Sequence, residues 1–242
     1  MIFQPLEMKS DCVGYYANNI LKPQVPLPLE GSTWDYTPHL QGDDYELARI
    51  YSQGEPLTAV CPDHMREDWE EIKKTLRSCL KSFATSGISL EDNCFYDVVP
   101  EFFLYRYLET KNQITQHVLD TYPRPENYKE MYNLVEMLSD IRERKLNINI
   151  GNIGHLLSAV RGVNFRRTLQ TARHVCDYNP WGTVTGRLAT NAKSFPILTM
   201  NKEFRRCVEP QNDWLLELDF NAAELRTLLA LAGVEQPRND IH

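Results

Sequence analysis

The chain has 242 residues, a net formal charge of −7, and 42% hydrophobic and 24% charged residues. Such a length accommodates one large domain or two small ones, and the composition is that of an ordinary globular protein. No run approaches the roughly eighteen apolar residues of a membrane span, and the opening Met1-Ile-Phe-Gln-Pro-Leu-Glu7 has neither the basic nor the apolar region of a signal peptide. A cytoplasmic setting is therefore expected. The six cysteines (Cys12, Cys61, Cys79, Cys94, Cys176, Cys207) lie far apart, with no Cys-x-x-Cys and no His at zinc-ligand spacing. They are expected to be reduced and mostly structural.

Residues 1 to about 40 mix short apolar pieces such as Cys12-Val-Gly-Tyr-Tyr16 with turn residues and four prolines from Pro23 to Pro38, which predicts short strands and loops. Asp63 to Phe83 reads as an amphipathic helix. Trp69, Ile72, Leu76, Leu80 and Phe83 recur at helical spacing, and Pro62 precedes an acidic first turn. A second helix is expected from about Pro100 to Thr121 with Phe102, Phe103, Tyr105, Tyr107 and Leu108 packed in a core. After Pro123 and Pro125 a third helix, about Glu126 to Lys145, puts Leu134, Leu138 and Ile141 on one face, and the two together predict a helical hairpin. Leu146 to Phe165 is rich in Asn and Gly, suiting a short helix and a mobile tip. Arg166 to Tyr178 alternates in part and reads as strand.

The last quarter carries the chemistry. Trp214, Leu215, Leu216 and Leu218 form a short apolar run read as a buried strand. Leu225, Leu228, Leu229 and Ala232 then repeat at i, i+3, i+4, i+7, and Gly233 stands where a helix stops. An acid at the mouth of a strand, Asp219, followed by a turn into a helix, can hold a metal ion where helix N-terminal amides attract phosphate. Charge points the same way. The net charge is −9 over residues 1–110, 0 over 111–160, +6 over 161–210 and −4 over 211–242, so a basic block adjoins an acidic patch. That suits a nucleic-acid backbone passing a metal site.

Two further acid motifs stand in the first hundred residues. Asp44-Tyr-Glu46 and the Asn93 to Asp97 spacing are those of metal-dependent exonucleases, which gather several carboxylates around two ions. No third element follows them, so they read as surface acids or a degenerate remnant, and no proofreading is expected.

From Tyr178 onward the sequence resembles family A DNA polymerases of the bacterial polymerase I and phage type. One block is Tyr178-Asn-Pro-Trp-Gly-Thr-Val-Thr-Gly-Arg-Leu-Ala-Thr190, similar to that family's Thr-x-Thr-Gly-Arg-Leu block, followed by Phe195-Pro196 and Arg205-Arg206. The other, Asp219-Phe-Asn-Ala-Ala-Glu-Leu-Arg226, resembles the palm motif Asp-Tyr-Ser-Gln-Ile-Glu-Leu-Arg, and Asp240-Ile-His242 resembles a short element beyond it.

The resemblance implies an α+β fold in three regions: residues 1–99, a mixed α/β region that is degenerate exonuclease-like in one reading; residues 100–177, a helical hairpin where the family keeps its thumb; and residues 178–242, the first strands and helix of a palm. It implies template-directed nucleotidyl transfer with two Mg²⁺ ions. Asp219 would be a metal-binding carboxylate, and the backbone at Phe220 and Asn221 would approach the triphosphate. Glu224 would lie under the sugar and exclude a 2′-hydroxyl. Thr185, Gly186, Arg187, Arg166, Arg167 and Lys193 would meet primer-template DNA, with Arg226 a structural partner. Without the neighbouring blocks, Asp219 would read as a helix N-cap, Glu224 as a solvated first-turn acid and Arg187 as a salt-bridged surface residue; both blocks in order favour the functional roles.

Departures narrow the expectation. Phe220 stands for the usual Tyr, Ala222 for a Gln, and Ile197 and Thr199 for an Asn and a Gln. The fingers helix and the His-Asp-Glu block with the second carboxylate do not follow. No polymerase activity is expected from this chain alone: fingers and palm are expected to be completed by a second polypeptide, as in a phage-like split enzyme in a host cytoplasm, or by a missing C-terminal part, a shortened piece and an interrupted coding sequence being the competing explanations. The alternative is a non-catalytic module that grips primer-template DNA or a replication partner. An RNA polymerase is disfavoured by the acid at position 224.

Overall fold

The computed structural model describes residues 3–9, 12–17, 20–22, 45–90, 93–158, 160–172, 174–192, 194–216, 218 and 220–235. The chain is α+β, mainly helical with small antiparallel strands. It forms two compact units: Met1–Lys145 with Thr168–Thr199, and Leu146–Arg167 with Met200–His242. Among the described residues no helix is long and apolar enough to cross a membrane.

The first unit begins with the strands expected from the sequence. β1 (Phe3–Lys9), β2 (Cys12–Ala17) and β3 (Ile20–Lys22) form an antiparallel sheet in that order, with Phe3 opposite Ala17 and Lys9 opposite Cys12. The register shifts between Pro5 and Glu7, where proline supplies no N–H to the ladder.

A helical core follows. A 3-10 helix, Glu46–Ile50, leads into α1 (Leu57–Val60), α2 (Asp63–Thr85), α3 (Phe95–Val98) and α4 (Glu101–Thr121). In α2 the repeat Trp69, Ile72, Leu76 is buried, as its spacing predicts, and Trp69 Nε1 donates to Thr58 Oγ1 at 3.1 Å, tying α2 to α1. Tyr107 on α4 stacks on Trp69 at 6.2 Å and on Phe103 at 6.2 Å, with Phe95 edge-on at 6.1 Å. Aromatic pairs at these separations add about 0.5–1.5 kcal/mol each beyond the area they bury. Phe102, 81% exposed, and Tyr105, 38% exposed, project from α4 away from the core.

Two expectations change here. α4 packs on α2 and α1, whereas α5 (Tyr128–Glu143) packs on the 3-10 helix Glu46–Ile50, so the two helices are not each other's main partners in a hairpin. Each helix has one apolar stripe, and that of α4 is taken by α2. Accordingly a single cluster contains Tyr45, Leu57, Trp69, Phe95, Phe103, Leu108 and Val118, and the boundary drawn at residues 99 and 100 runs through it. The boundary at 177 and 178 likewise falls inside the first unit.

In the second unit, β4 (Asn147–Ile148) pairs antiparallel with β7 (Val208–Glu209), and a 3-10 helix, Ile150–Leu156, sits against another, Phe204–Cys207. The expected short helix in the Asn- and Gly-rich run is thus present. Residues Arg166–Thr171, expected as strand, are instead the last turns of α6 (Val160–Thr171). Phe165 and Leu169, four apart, are both buried, which is a helical period. Gly162 permits close packing, because a Cβ there would lie 2.5 Å from the Leu157 Cα.

The predicted helix after Asp219 is α7 (Ala223–Leu231), and Gly233 at φ +66° ends it, with Val234 N–H donating to the Leu229 carbonyl and Gly233 N–H to that of Ala230. The apolar run before it is not the expected buried strand. Trp214, Leu215, Leu216 and Leu218 are 83%, 68%, 83% and 84% exposed and outside regular structure. A strand needs a neighbour to bond its backbone, and no described residue pairs with this run.

Cysteine chemistry also departs in one place. Cys61, Cys79, Cys176 and Cys207 are free thiols, as expected, but Cys94 is disulfide-bonded. Sequence spacing does not reveal which sulfurs a fold brings together.

Candidate nucleotide and nucleic-acid site

In the first unit the Thr-Gly-Arg block is the tip of a hairpin. β5 (Tyr178–Asn179) pairs with β6 (Ala189–Thr190), Tyr178 opposite Thr190 and Asn179 opposite Ala189. Its base is held on both sides. The Asn179 Oδ1 accepts the Trp181 N–H at 3.0 Å, and Asn191 donates through Nδ2 to Asp177 Oδ1 at 2.9 Å while its backbone N–H donates to the Asp177 carbonyl. Buried Asp177 donates its own N–H to Ser194 Oγ at 3.0 Å. The Arg49 guanidinium stacks 4.9 Å above the Trp181 ring and donates twice to the Gly54 carbonyl, at 2.9 and 2.7 Å.

Burial pushes the Tyr178 hydroxyl up to about 12, with the Cys176 thiol beside it as the second cause. Burial also raises Cys176, and a hydrogen bond from Tyr178 partly offsets this. Both groups therefore stay protonated at neutral pH.

The tip itself faces solvent. Thr183 Oγ1 donates to the Arg187 carbonyl at 2.7 Å, Gly186 N–H reaches the Thr183 carbonyl, and Gly186 takes φ +75°, a conformation glycine adopts without strain. Val184, Thr185, Gly186 and Arg187 are all exposed. The block is thus a rigid-based loop that presents a cation and a backbone turn to solvent.

The second unit holds the other named residues. Phe220 and Asn221 precede Ala222, a buried residue at φ +49° that turns the chain into α7. Arg226 Nε donates to the Asn221 carbonyl at 2.8 Å and its backbone N–H to that of Ala222, so Arg226 braces the turn. Glu224 is exposed in the first turn of α7, where the helix dipole favours an acid. Arg166 and Arg167 are exposed on α6. Asp219, Lys193, Asp44 and Asp240 to His242 lie outside the described residues.

Sequence reasoning missed two features of this unit. Phe165 and Phe204 stack at 4.5 Å and 4°, clamping α6 to the 3-10 helix Phe204–Cys207, and exposed Arg161, Arg166, Arg167, Lys202, Arg205 and Arg206 surround that clamp along the chain. Glu209 Oε1 accepts from Asn149 at 2.8 Å and from Asn152 at 2.9 Å, while Asn149 N–H donates to the Cys207 carbonyl at 2.7 Å. The run of asparagines at 147, 149 and 152 was the available signal, read only as loop composition.

Named residues thus fall into two sets: Thr185, Gly186 and Arg187 in the first unit, and Arg166, Arg167, Phe220, Asn221 and Glu224 in the second. Among the described residues no three His, Cys, Asp or Glu side chains gather as a metal site. No family model, no curated protein and no solved structure matches the chain.

Proposed function

We propose that this chain is part of a DNA-directed DNA polymerase of family A type, contributing thumb-like helices and the first palm segment to template-directed nucleotidyl transfer, with fingers and the second catalytic carboxylate supplied by a second polypeptide or by a further C-terminal part. The observation that carries the reading is the geometry after Asp219: a left-handed turn at Ala222, braced by Arg226, opens a helix with Glu224 exposed in its first turn. A nucleotide could approach the exposed backbone at Phe220 and Asn221 with its sugar toward Glu224. The exposed apolar side chains of Trp214, Leu215, Leu216 and Leu218 suit a further element packed on them.

In this proposal Mg²⁺ would supply charge neutralisation of the triphosphate, with Asp219 as one carboxylate that would hold it and the second from the part that carries the His-Asp-Glu block. Arg187, Thr185 and Gly186 on the hairpin tip, and Arg166, Arg167 and Lys193 elsewhere, hold primer-template phosphates and grooves. The test is primer extension with Mg²⁺ and deoxynucleoside triphosphates after mixing this chain with a polypeptide carrying the fingers and the His-Asp-Glu block. Synthesis that vanishes with Asp219→Ala supports the reading; synthesis unaffected by that change overturns the ligand assignment.

A second reading, a non-catalytic primer-template DNA-binding module, draws on the exposed arginines around the Phe165–Phe204 clamp. Tight DNA binding by the isolated chain, with no synthesis in the mixture, would favour it.

A further inference from the structure

We propose that the first unit carries a carboxylate-binding site in the cavity between α5 and the base of the Thr-Gly-Arg hairpin. None of the residues assigned above to DNA, nucleotide or metal lines this cavity, and the proposal does not rest on the polymerase reading.

Three elements of the first unit build the site. Val135, Leu138, Ser139 and Arg142 stand at i, i+3, i+4 and i+7 on α5, so one face of that helix supplies all four. Arg49 comes from the 3-10 helix Glu46–Ile50, and Trp181 from the hairpin base.

Charge selects an anion. Two guanidinium groups line the cavity and no Asp or Glu does. Arginine keeps its charge at every working pH, whereas Tyr178, the one other ionisable group on the lining, holds its proton because burial pushes its hydroxyl up to about 12. The formal charge around the cavity is therefore only positive. Like charges beside one small space repel, and an anion between them offsets that cost.

Both cations are held in place before any ligand arrives. The Arg49 guanidinium lies 4.9 Å above the Trp181 ring and donates to the Gly54 carbonyl at 2.9 and 2.7 Å. Arg142 Nη2 donates to Ser139 Oγ at 2.9 Å. Side chains fixed in this way lose little further freedom on binding, and the planar guanidinium fork fits a planar carboxylate.

Size selects the kind of anion. The cavity measures about 40 Å³, room for about three water molecules. A carboxylate has that many heavy atoms, one carbon and two oxygens; a phosphate has five and exceeds it. Val135, Leu138 and Trp181 put apolar surface beside the two cations, so the acid that fits bears a short hydrocarbon chain.

The test is an NMR titration of the full chain with propionate, whose carboxylate and short chain reproduce the tip of a glutamate. A Kd of about 1 mM is expected, with shifts centred on the amides of Val135–Arg142 and on the Trp181 indole N–H. Propionamide, the neutral isostere, and inorganic phosphate are each expected to bind about tenfold more weakly or worse. Arg142→Gln is expected to weaken propionate about tenfold or more, and Val135→Phe, which keeps both arginines but fills the cavity, to abolish binding. A blocked Ala-Glu-Ala tripeptide titrated in parallel names the source of the carboxylate. Equal affinity with the same shifts supports a site for an acidic side chain of a protein, and binding of propionate alone supports one for a free organic acid.

Propionate affinity weaker than about 10 mM, equal affinity for propionamide, phosphate bound as tightly as propionate, or indifference to both Arg142→Gln and Val135→Phe would each overturn the proposal. Should Arg142→Gln fail to fold, the comparison of propionate with propionamide on the unaltered chain still decides it. No readout here involves primer extension, so failure of this site leaves the polymerase reading standing, and failure of synthesis leaves the site standing.

Discussion

Arg226 Nε donates to the Asn221 carbonyl at 2.8 Å, five residues back, so the helix that bears Glu224 also locks the turn that precedes it. The bond is exposed, and charge-assisted bonds of this kind are worth about 1 kcal/mol after solvent screening. Arg226→Ala is expected to lower the unfolding free energy by about that amount in urea titration and to speed amide exchange across Asn221–Leu225. Gly233→Ala at the other end of α7 costs about 1 kcal/mol as well, because the site has open space but demands positive φ.

Gly54 and Trp181 form the tightest approach beneath the Thr-Gly-Arg hairpin. A Cβ on Gly54 would lie 2.5 Å from the Trp181 Cβ, and its φ is +90°. Gly54→Ala therefore meets both a clash and backbone strain, a loss of about 3 kcal/mol or more. Combined with Trp181→Ala the penalty is expected to be less than additive, since the second change removes the clash. Denaturant midpoints of the two single variants and the double variant measure this.

Tyr178 gives the hairpin base a pH dependence. Its folded-state value is about 12, against 10.0 for an unperturbed tyrosine. Below pH 10 both states hold the proton and the contribution is complete; from about pH 10 to 12 the unfolded chain releases it first, so stability falls as pH rises. With the residue only half-buried, the loss should be about 1 kcal/mol. Urea titrations are expected to show a smaller drop between about pH 9.5 and 11.5 in Tyr178→Phe.

For DNA, the paired change Arg166→Ala and Arg167→Ala is expected to weaken primer-template binding across sequences and to reduce the slope of log affinity against log salt by about 2, near one per lost phosphate contact. Arg187→Ala should lower affinity further. Filter binding or anisotropy at several salt concentrations gives the slope, and an unchanged slope would remove the pair from the interface.

In the reconstituted enzyme, Glu224→Ala is expected to raise ribonucleotide incorporation relative to deoxynucleotide incorporation by about tenfold, because a carboxylate that crowds the 2′ position is gone. Single-nucleotide incorporation with matched ribo- and deoxynucleotides checks it, and unchanged discrimination would reject Glu224 as the sugar gate.

Much of the helical framework is legible from periodicity. Trp69, Ile72 and Leu76 announce α2, Leu225 to Ala232 with Gly233 announce α7 and its stop, and Pro62 and Pro100 mark helix entries, because these signals act within one or two turns of the chain. Across Arg166–Thr171 partial alternation suggests strand and masks the helical Phe165–Leu169 period. At the candidate site, the blocks around Arg187 and Asp219 could be picked out as residue types, but the bracing of Asn221 by Arg226 and the clamping of α6 by Phe165 and Phe204 could not.

By itself, then, the sequence determined where α2 and α7 form, where α7 stops, and which residues belong to the two blocks, because propensity, spacing and caps are local properties. Tertiary structure decided what those elements pack against. It set α4 on α2 rather than on α5, since one apolar stripe can be covered only once. It also left Trp214, Leu215, Leu216 and Leu218 uncovered. Whether an apolar run becomes a buried strand depends on a neighbour to bond its backbone, and no local pattern supplies that neighbour.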